Sequence, residues 1–345
     1  MKALLLSNSF PIHPRLLKLA NYVETNDGVK KLDVCAWDRS NGNNKKVHTS
    51  GVYSSDIGYG NKLKKLIHLF GFALHLRGII NKYSPDIIVC RYWDMFFLAS
   101  LVSPKGVNIY YDVCDMPSNT IIRYFEKLCI KRADRIFLAS RFFKPFYKHK
   151  RIVLFENKPD LSMISPVLDR LEYSSALSSP IKIAFIGKVR YFEVMKNMLV
   201  ASNLNDSHSI IVNIYGDGPD EQRLRDFCTD KGFTNVSFFG AYDYSDIAKF
   251  YTMNDVIWAA YDSDKFNVKH AISNKYFESL FFCKPAIYSK ETQLGSMVEK
   301  DNIGFVVNES STDDIGFLFS RLIADDDDLY RSVIESIEKF NDNMQ

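Results

Sequence analysis

Short, nearly continuous apolar runs alternate along this chain with longer segments whose apolar positions recur at helical spacing. In the first half the runs at 3–7, 31–37, 85–90, 108–112 and 135–139 read as buried strands. Between them, Leu16, Leu17, Leu19, Ala20 and Val23 mark one helix. The segment 62–82, with Ile67, Phe70, Phe72, Leu74, Leu76, Ile79 and Ile80, marks an amphipathic second. Residues 40–61 are polar and glycine-rich and read as a mobile loop.

A second alternation begins at 181. Strands are expected at 181–186, 210–215, 236–239, 256–260, 286–288 and 305–307. Helices are expected at 195–201, 222–231, 244–253, 313–324 and 328–340, with another starting at Ser273. Strands alternating with helices indicate parallel sheets covered on both faces. Ligands of such sheets bind at the carboxyl ends of the strands. In the first half that rim carries Ser7, Asn8, Ser9, Arg91, Asp112 to Asp115, Ser140 and Arg141.

The length of 345 residues suits two domains, each with its own core. The serine-rich, proline-flanked stretch 166–180 reads as the linker between domains at 1–165 and 181–345. Six scattered cysteines without a C-x-x-C pair point to free thiols in a reducing, cytoplasmic compartment, and not to a disulfide framework or zinc site. The first residues form too short an apolar run for a signal peptide, and no apolar stretch is long enough to span a bilayer. Charge is uneven: residues 1–160 hold 26 Lys+Arg against 13 Asp+Glu, while the remainder holds 18 against 28. The first half is therefore expected to meet something anionic, or merely to use its charge for solubility. Its basic residues lack the interleaved pattern of a nucleic-acid motif.

The stretch 267–289 concentrates the candidate chemistry. It reads as a loop, a short helix capped by Ser273, and a strand after Lys284-Pro285. Asn274, Lys275 and Glu278 are its polar residues near the helix start. A helix N-terminus with a lysine beside it suits a diphosphate, and Glu278 can accept from paired sugar hydroxyls. An ordinary solvated helix start fits the same residues. Lys188 and Arg190, after the strand at 181–186, are further basic candidates. Arg190 offers a bidentate phosphate contact and Lys275 a point charge. Gly216-Asp217-Gly218 reads as a close backbone approach to a nucleotide or as a tight strand–helix turn.

Taken in order, LLLSNSFPIHPRLLKLANYV, DVCAWDR, PDIIVCRYWDMFFLAS, YYDVCDMP, FEKLCIKRADRIFLAS, FIGKVRYFE, IYGDGP, FFGAY and SNKYFESLFFCKPAIYS resemble the successive segments of GT-B glycosyltransferases of the family 4 retaining type. The resemblance covers nearly the whole chain. It implies two Rossmann-like domains facing each other across a cleft. It implies sugar transfer from a nucleoside-diphosphate donor to a glycan or lipid-linked glycan, with retention and without a bound metal or other cofactor. It implies a catalytic group of Lys188, Arg190, Lys275 and Asp115. Donor contacts are implied from Gly187, Gly216, Gly218, Tyr242, His270, Ser273, Asn274 and Glu278. His270 stands where the family usually has the first of two glutamates, and Cys114 stands where some relatives have histidine. His270 also reads as a core or loop histidine. A GT-B nucleotide-sugar epimerase and a catalytically degenerate scaffold stay as alternatives. The basic first half, the helix at 62–82 and the cluster Lys144, Lys148, Lys150 and Arg151 are expected to meet an anionic membrane surface peripherally. A D-x-D triplet, Asp262-Ser263-Asp264, reads as a polar loop in preference to a metal site.

Overall fold

The computed structural model describes residues 1–38, 51–55, 62–159, 176–204, 209–324 and 329–342. The loop expected at 40–61 and the linker at 166–180 therefore lie largely outside the described residues. The chain divides into two compact units, Met1–Glu156 and Asn157–Gln345.

The first unit is built on β1 (Lys2–Ser7), α1 (Pro14–Asp27), β2 (Lys31–Asp38), β3 (Val52–Ser54), α2 (Lys62–Tyr83), β4 (Ile87–Arg91), α3 (Tyr92–Val102), β5 (Asn108–Val113), α4 (Thr120–Cys129), β6 (Arg135–Leu138) and β7 (Ile152–Leu154). Its seven strands lie in the order β3-β2-β1-β4-β5-β6-β7, with parallel pairing throughout. Parallel strands buried on both faces need near-continuous apolar residues, and β1 and β4 have them at all but their terminal positions. Helix α1 shows the local logic. His13 caps it, its Nδ1 accepting from the Arg15 amide at 3.2 Å. Pro14 occupies the first turn, where a missing N–H costs nothing, and Gly28 ends the helix with φ of 64°. Leu16, Leu19, Ala20 and Val23 bury against Leu5, Val89 and Phe137. Each large aliphatic side chain so buried contributes about 1.5–3 kcal/mol.

Two strands depart from the sequence reading. β3 lies within the segment expected as a loop, paired to the edge of β2, and β7 closes the other edge. Both are three residues long, too short for alternation to show. Leu17, expected on the core face, is 52 % exposed, because it follows Leu16 by only one position.

The second unit contains β8 (Ile181–Ile186), α5 (Phe192–Ala201), β9 (Ile210–Tyr215), α6 (Glu221–Lys231), β10 (Val236–Gly240), α7 (Ile247–Met253), β11 (Val256–Trp258), α8 (Phe266–His270), α9 (Asn274–Phe281), β12 (Ala286–Ser289), α10 (Gln293–Asp301), β13 (Phe305–Val307), α11 (Thr312–Ile323) and α12 (Leu329–Asp342). Its six strands lie in the order β10-β9-β8-β11-β12-β13, again all parallel. Where a loop was expected before Ser273 there is the short helix α8. In each sheet the strand order reverses beside the first strand of the unit, which opens a crevice at the strand ends. The crevices lie between β1 and β4, and between β8 and β11. Among the described residues no helix is long and apolar enough to cross a membrane.

Candidate functional site

On the β8 side of the second crevice two backbone turns are pressed together. After β8 the chain runs through Gly187, Lys188, Val189 and Arg190, and after β9 through Gly216, Asp217 and Gly218. The Val189 amide donates to the Asp217 carbonyl at 2.8 Å and the Gly187 amide to that of Tyr215 at 2.8 Å. A Cβ at Gly216 would lie 1.9 Å from the Gly187 carbonyl oxygen, and one at Gly218 would lie 2.0 Å from that of Val189. Main chain meets main chain, so only glycine fits at either place. The tight-turn reading of these glycines thus has a definite cause. Val189 is buried, while Lys188 and Arg190 are exposed. Arg190 lies over the ring of Tyr191, 4.9 Å from its centroid, and Tyr191 itself has φ of 64°.

Opposite Gly187 stands the first turn of α9. Ser273 caps it, its hydroxyl accepting from the Lys275 amide at 3.3 Å. Lys275 is buried, and its Nζ comes within 3.7 Å of the place a Cβ on Gly187 would take. The same ammonium lies 3.5 Å from Oε2 of Glu278, one turn along. Burial lowers the pKa of Lys275, but the Glu278 carboxylate, with Tyr261 and Tyr242, outweighs it and raises the pKa above the usual lysine value. The ammonium therefore stays charged at neutral pH. Glu278 is 1 % exposed and accepts from the phenols of Tyr251 at 3.0 Å and Tyr244 at 3.4 Å. Burial pushes the Tyr242 phenol up, with the Lys275 ammonium pulling the other way. The arrangement is a fixed cation at a helix N-terminus, beside a glycine turn that leaves the backbone open.

The remaining candidates are more dispersed. Asn274 is exposed on the same turn as Lys275, and Tyr242 is half-buried. His270 ends α8 with its ring 4.8 Å from that of Phe266. Asp262 accepts from the Asp264 amide at 3.1 Å and pairs with Lys265 at 3.3 Å. The sequence reading passed over Tyr244, Tyr251, Tyr261 and Glu309. Glu309 is buried just after β13 and accepts from the Ser263 amide at 2.8 Å, holding the loop after β11. Scattered tyrosines carry no spacing signal. A glutamate following the apolar run of β13 was the only mark of Glu309.

The first unit's crevice holds a separate polar cluster. Arg15 and Asp112, both buried, form a forked contact at 2.8 and 3.0 Å. Cys114 donates to Asp112 at 2.9 Å and accepts from Nε of Arg91 at 3.1 Å. Arg91 stacks on Tyr92, which has φ of 68°, and donates to its hydroxyl at 2.7 Å. Desolvation and the guanidiniums of Arg91 and Arg15 lower the His13 pKa to about 4, against a smaller opposite pull from Asp112. Burial raises the Cys114 thiol, with Asp112 adding to it. Cys114 is thus a neutral hydrogen-bonding link. Asp112, expected as a cap or hydroxyl ligand, is tied to Arg15, and Asp115 is exposed beside it.

Residues 173–340 match the family model described as glycosyl transferases group 1. No match is found among curated proteins. Solved structures with a similar fold include sucrose-phosphate synthase from Thermosynechococcus elongatus, at TM-score 0.72 and 13 % identity over 98 % of this chain and 94 % of that one. Anabaena HepE in complex with UDP-glucose matches at 0.68 and 12 %, over 99 % and 94 %. The lipopolysaccharide outer core galactosyltransferase WaaB in its apo form matches at 0.60 and 15 %, over 100 % and 99 %. The likeness establishes the architecture: two parallel-sheet α/β units in tandem, as in GT-B glycosyltransferases.

Proposed function

We propose that this chain transfers a sugar from a nucleoside-diphosphate donor to a glycan or lipid-linked glycan, with retention of configuration. The observation that carries the reading is the charged Lys275 ammonium at the start of α9, facing the glycine turn after β8. A diphosphate leaving group gains negative charge as the sugar departs. A preorganised cation at the positive end of a helix stabilises it more in the transition state than in the ground state. Lys188 and Arg190 add charge from the exposed face of the turn, Arg190 with the planar fork that matches phosphate oxygens. The match to group 1 glycosyl transferases falls on this half of the chain. The fold is shared with a protein solved in complex with UDP-glucose. With these cations in place, the reading assigns no metal to the site.

Asp115 and the neighbouring rim of the first unit are assigned to acceptor hydroxyls. The basic balance of that half assigns the acceptor to an anionic, lipid-bearing surface. Helix α2 supports the assignment with Ile67, Phe70 and Leu74 exposed along one side. The side chains of Lys62, Lys64 and Lys65, expected to flank that stripe, lie outside the described residues.

The test is calorimetry with UDP-, GDP-, ADP- and dTDP-sugars, followed by transfer of labelled sugar in EDTA and in manganese. Binding of one donor and its loss in Lys275→Ala and Arg190→Ala are expected, by ~1.5–3 kcal/mol each. Unchanged affinity in both variants sinks the site. Activity lost in EDTA and restored by manganese moves the diphosphate contact to Asp262 and Asp264.

A further inference from the structure

Helix α4 of the first unit presents a second exposed apolar stripe. It is capped by Asn119, whose side-chain oxygen accepts from the amides of Ile121 and Ile122 at 2.9 and 3.2 Å. It then turns its apolar face outward. Ile121 is 67 % exposed, Tyr124 62 %, Phe125 47 % and Leu128 55 %. These positions follow the i, i+3, i+4, i+7 spacing of one helical stripe, the side that normally buries. Tyr124 and Phe125 meet edge to face, with centroids 6.0 Å apart. The polar residue on the inner side, Glu126, is buried and accepts from the phenols of Tyr111 and Tyr147, the latter at 2.7 Å. The helix thus faces inward with a carboxylate and outward with hydrocarbon.

The surroundings are of one sign. Residues 120–151 contain ten Lys+Arg and only two Asp+Glu. The two acids are Glu126, buried, and Asp134, which accepts from the Ile109 amide at 2.7 Å. Arg135 and Arg141 are paired with Asp27 and Glu156. Lys127, Lys131, Lys144, Lys148, Lys150 and Arg151 are exposed, with no ion-pair partner among the described residues. A hollow of about 440 Å³ opens beside the stripe, with Arg123, Lys127 and Lys148 among its walls and Met116, Ile130 and Phe146 as its apolar part.

We infer that α4 is the element on which this protein docks to an anionic bilayer, with Ile121, Tyr124, Phe125 and Leu128 entering the interface and the lysines of 127–151 meeting lipid phosphates. The inference rests on the membrane reading given above and names its contact face. An apolar stripe with a tyrosine and a phenylalanine suits the boundary between head groups and acyl chains. The exposed cations of 127–151 suit an anionic surface and oppose a second copy of the chain, which would bring like charges together. The hollow would offer a head-group phosphate Arg123, Lys127 and Lys148 against one carboxylate, Glu126, which already accepts from two phenols.

The experiment is vesicle co-sedimentation of the full chain. It uses phosphatidylcholine alone and phosphatidylcholine with phosphatidylglycerol, at low and high salt. Three proteins are compared: wild type, Ile121→Ser/Tyr124→Ser on α4, and Phe70→Ser/Leu74→Ser on α2. All four positions are exposed, and circular dichroism checks that each variant is folded. Wild type is expected to sediment with the anionic vesicles and to be released by salt. The α4 variant is expected to bind at least about tenfold more weakly, and the α2 variant to lose less than the α4 variant does. If wild type ignores anionic vesicles, the membrane reading itself falls. If wild type binds and the α4 variant binds equally, the membrane reading stands and this face is wrong. A wild-type dimer on gel filtration that becomes monomeric in the α4 variant, with vesicle binding unaltered, also overturns the inference.

Discussion

Replacing Lys275 by methionine separates its two roles. Methionine keeps much of the length and removes the charge, so it leaves Glu278 buried without its cation. At the observed 3.5 Å, two unit charges attract by about 5 kcal/mol for an effective dielectric of ~20, which bounds the effect from above. The carboxylate is not fully abandoned, because Tyr251 and Tyr244 still donate to it. We therefore expect the second unit to lose ~2–4 kcal/mol, at or just below the range for breaking a buried pair. Glu278→Gln alone should also destabilise, and the double variant should cost less than the two singles together, with a coupling of ~1–3 kcal/mol. Denaturant unfolding of the four proteins, followed by far-ultraviolet circular dichroism, reads the cycle. The pH dependence carries an independent signature. The folded pKa of Lys275 is raised, so the stabilisation is fully present below its unfolded value of ~10.4 and is lost as pH rises through the folded value. The wild type should therefore lose more stability above about pH 10 than Lys275→Met does. Additive single variants with no alkaline difference between the two proteins would refute the pairing, and with it the fixed cation on which the site depends.

Gly218→Ala should cost ~1–3 kcal/mol and weaken donor binding, because its Cβ at 2.0 Å from the Val189 carbonyl pushes the 187–190 turn out of place; unchanged melting and affinity would contradict the contact. Asp112→Asn should destabilise the first unit by ~3–5 kcal/mol, since it leaves the buried Arg15 guanidinium uncompensated, and Arg15→Met/Asp112→Leu should recover most of it in the same unfolding assay. His13 has a lowered pKa, so the stability it contributes is present above ~6.5 and is lost as pH falls toward about 4; His13→Gln should flatten the unfolding midpoint over that window.

The alternation of apolar runs and helical segments made both parallel sheets legible, because strands such as β1, β4 and β8 are apolar at nearly every position. The edge strands of the first sheet were not legible, whereas those of the second, β10 and β13, were. β3 and β7 are only three residues long and half open to solvent, so no period can establish itself. The Ser273 cap and the placing of Lys275 followed from local chemistry within one helical turn. The partners of Glu278 did not, since Tyr244 and Tyr251 lie 34 and 27 residues away and meet it only through the sheet. The same holds for Arg15 and Asp112, 97 residues apart. Long-range polar pairs leave no mark on hydrophobic periodicity. The outward stripe of α4 was hidden for the opposite reason: its spacing is that of a buried helix, and only the fold shows which side faces the core.

The backbone contact between the two glycine turns has a consequence for how such a protein can change. The path of residues 187–190 is set by carbonyl and amide groups, which substitution does not alter, while Lys188 and Arg190 project from that path into solvent. Charge, size and fork geometry at those two positions are therefore free to drift without moving the frame that holds them. A rigid frame with replaceable contacts lets preference among donors vary by single substitutions, whereas any variation through Gly216 or Gly218 has to rebuild the turn itself.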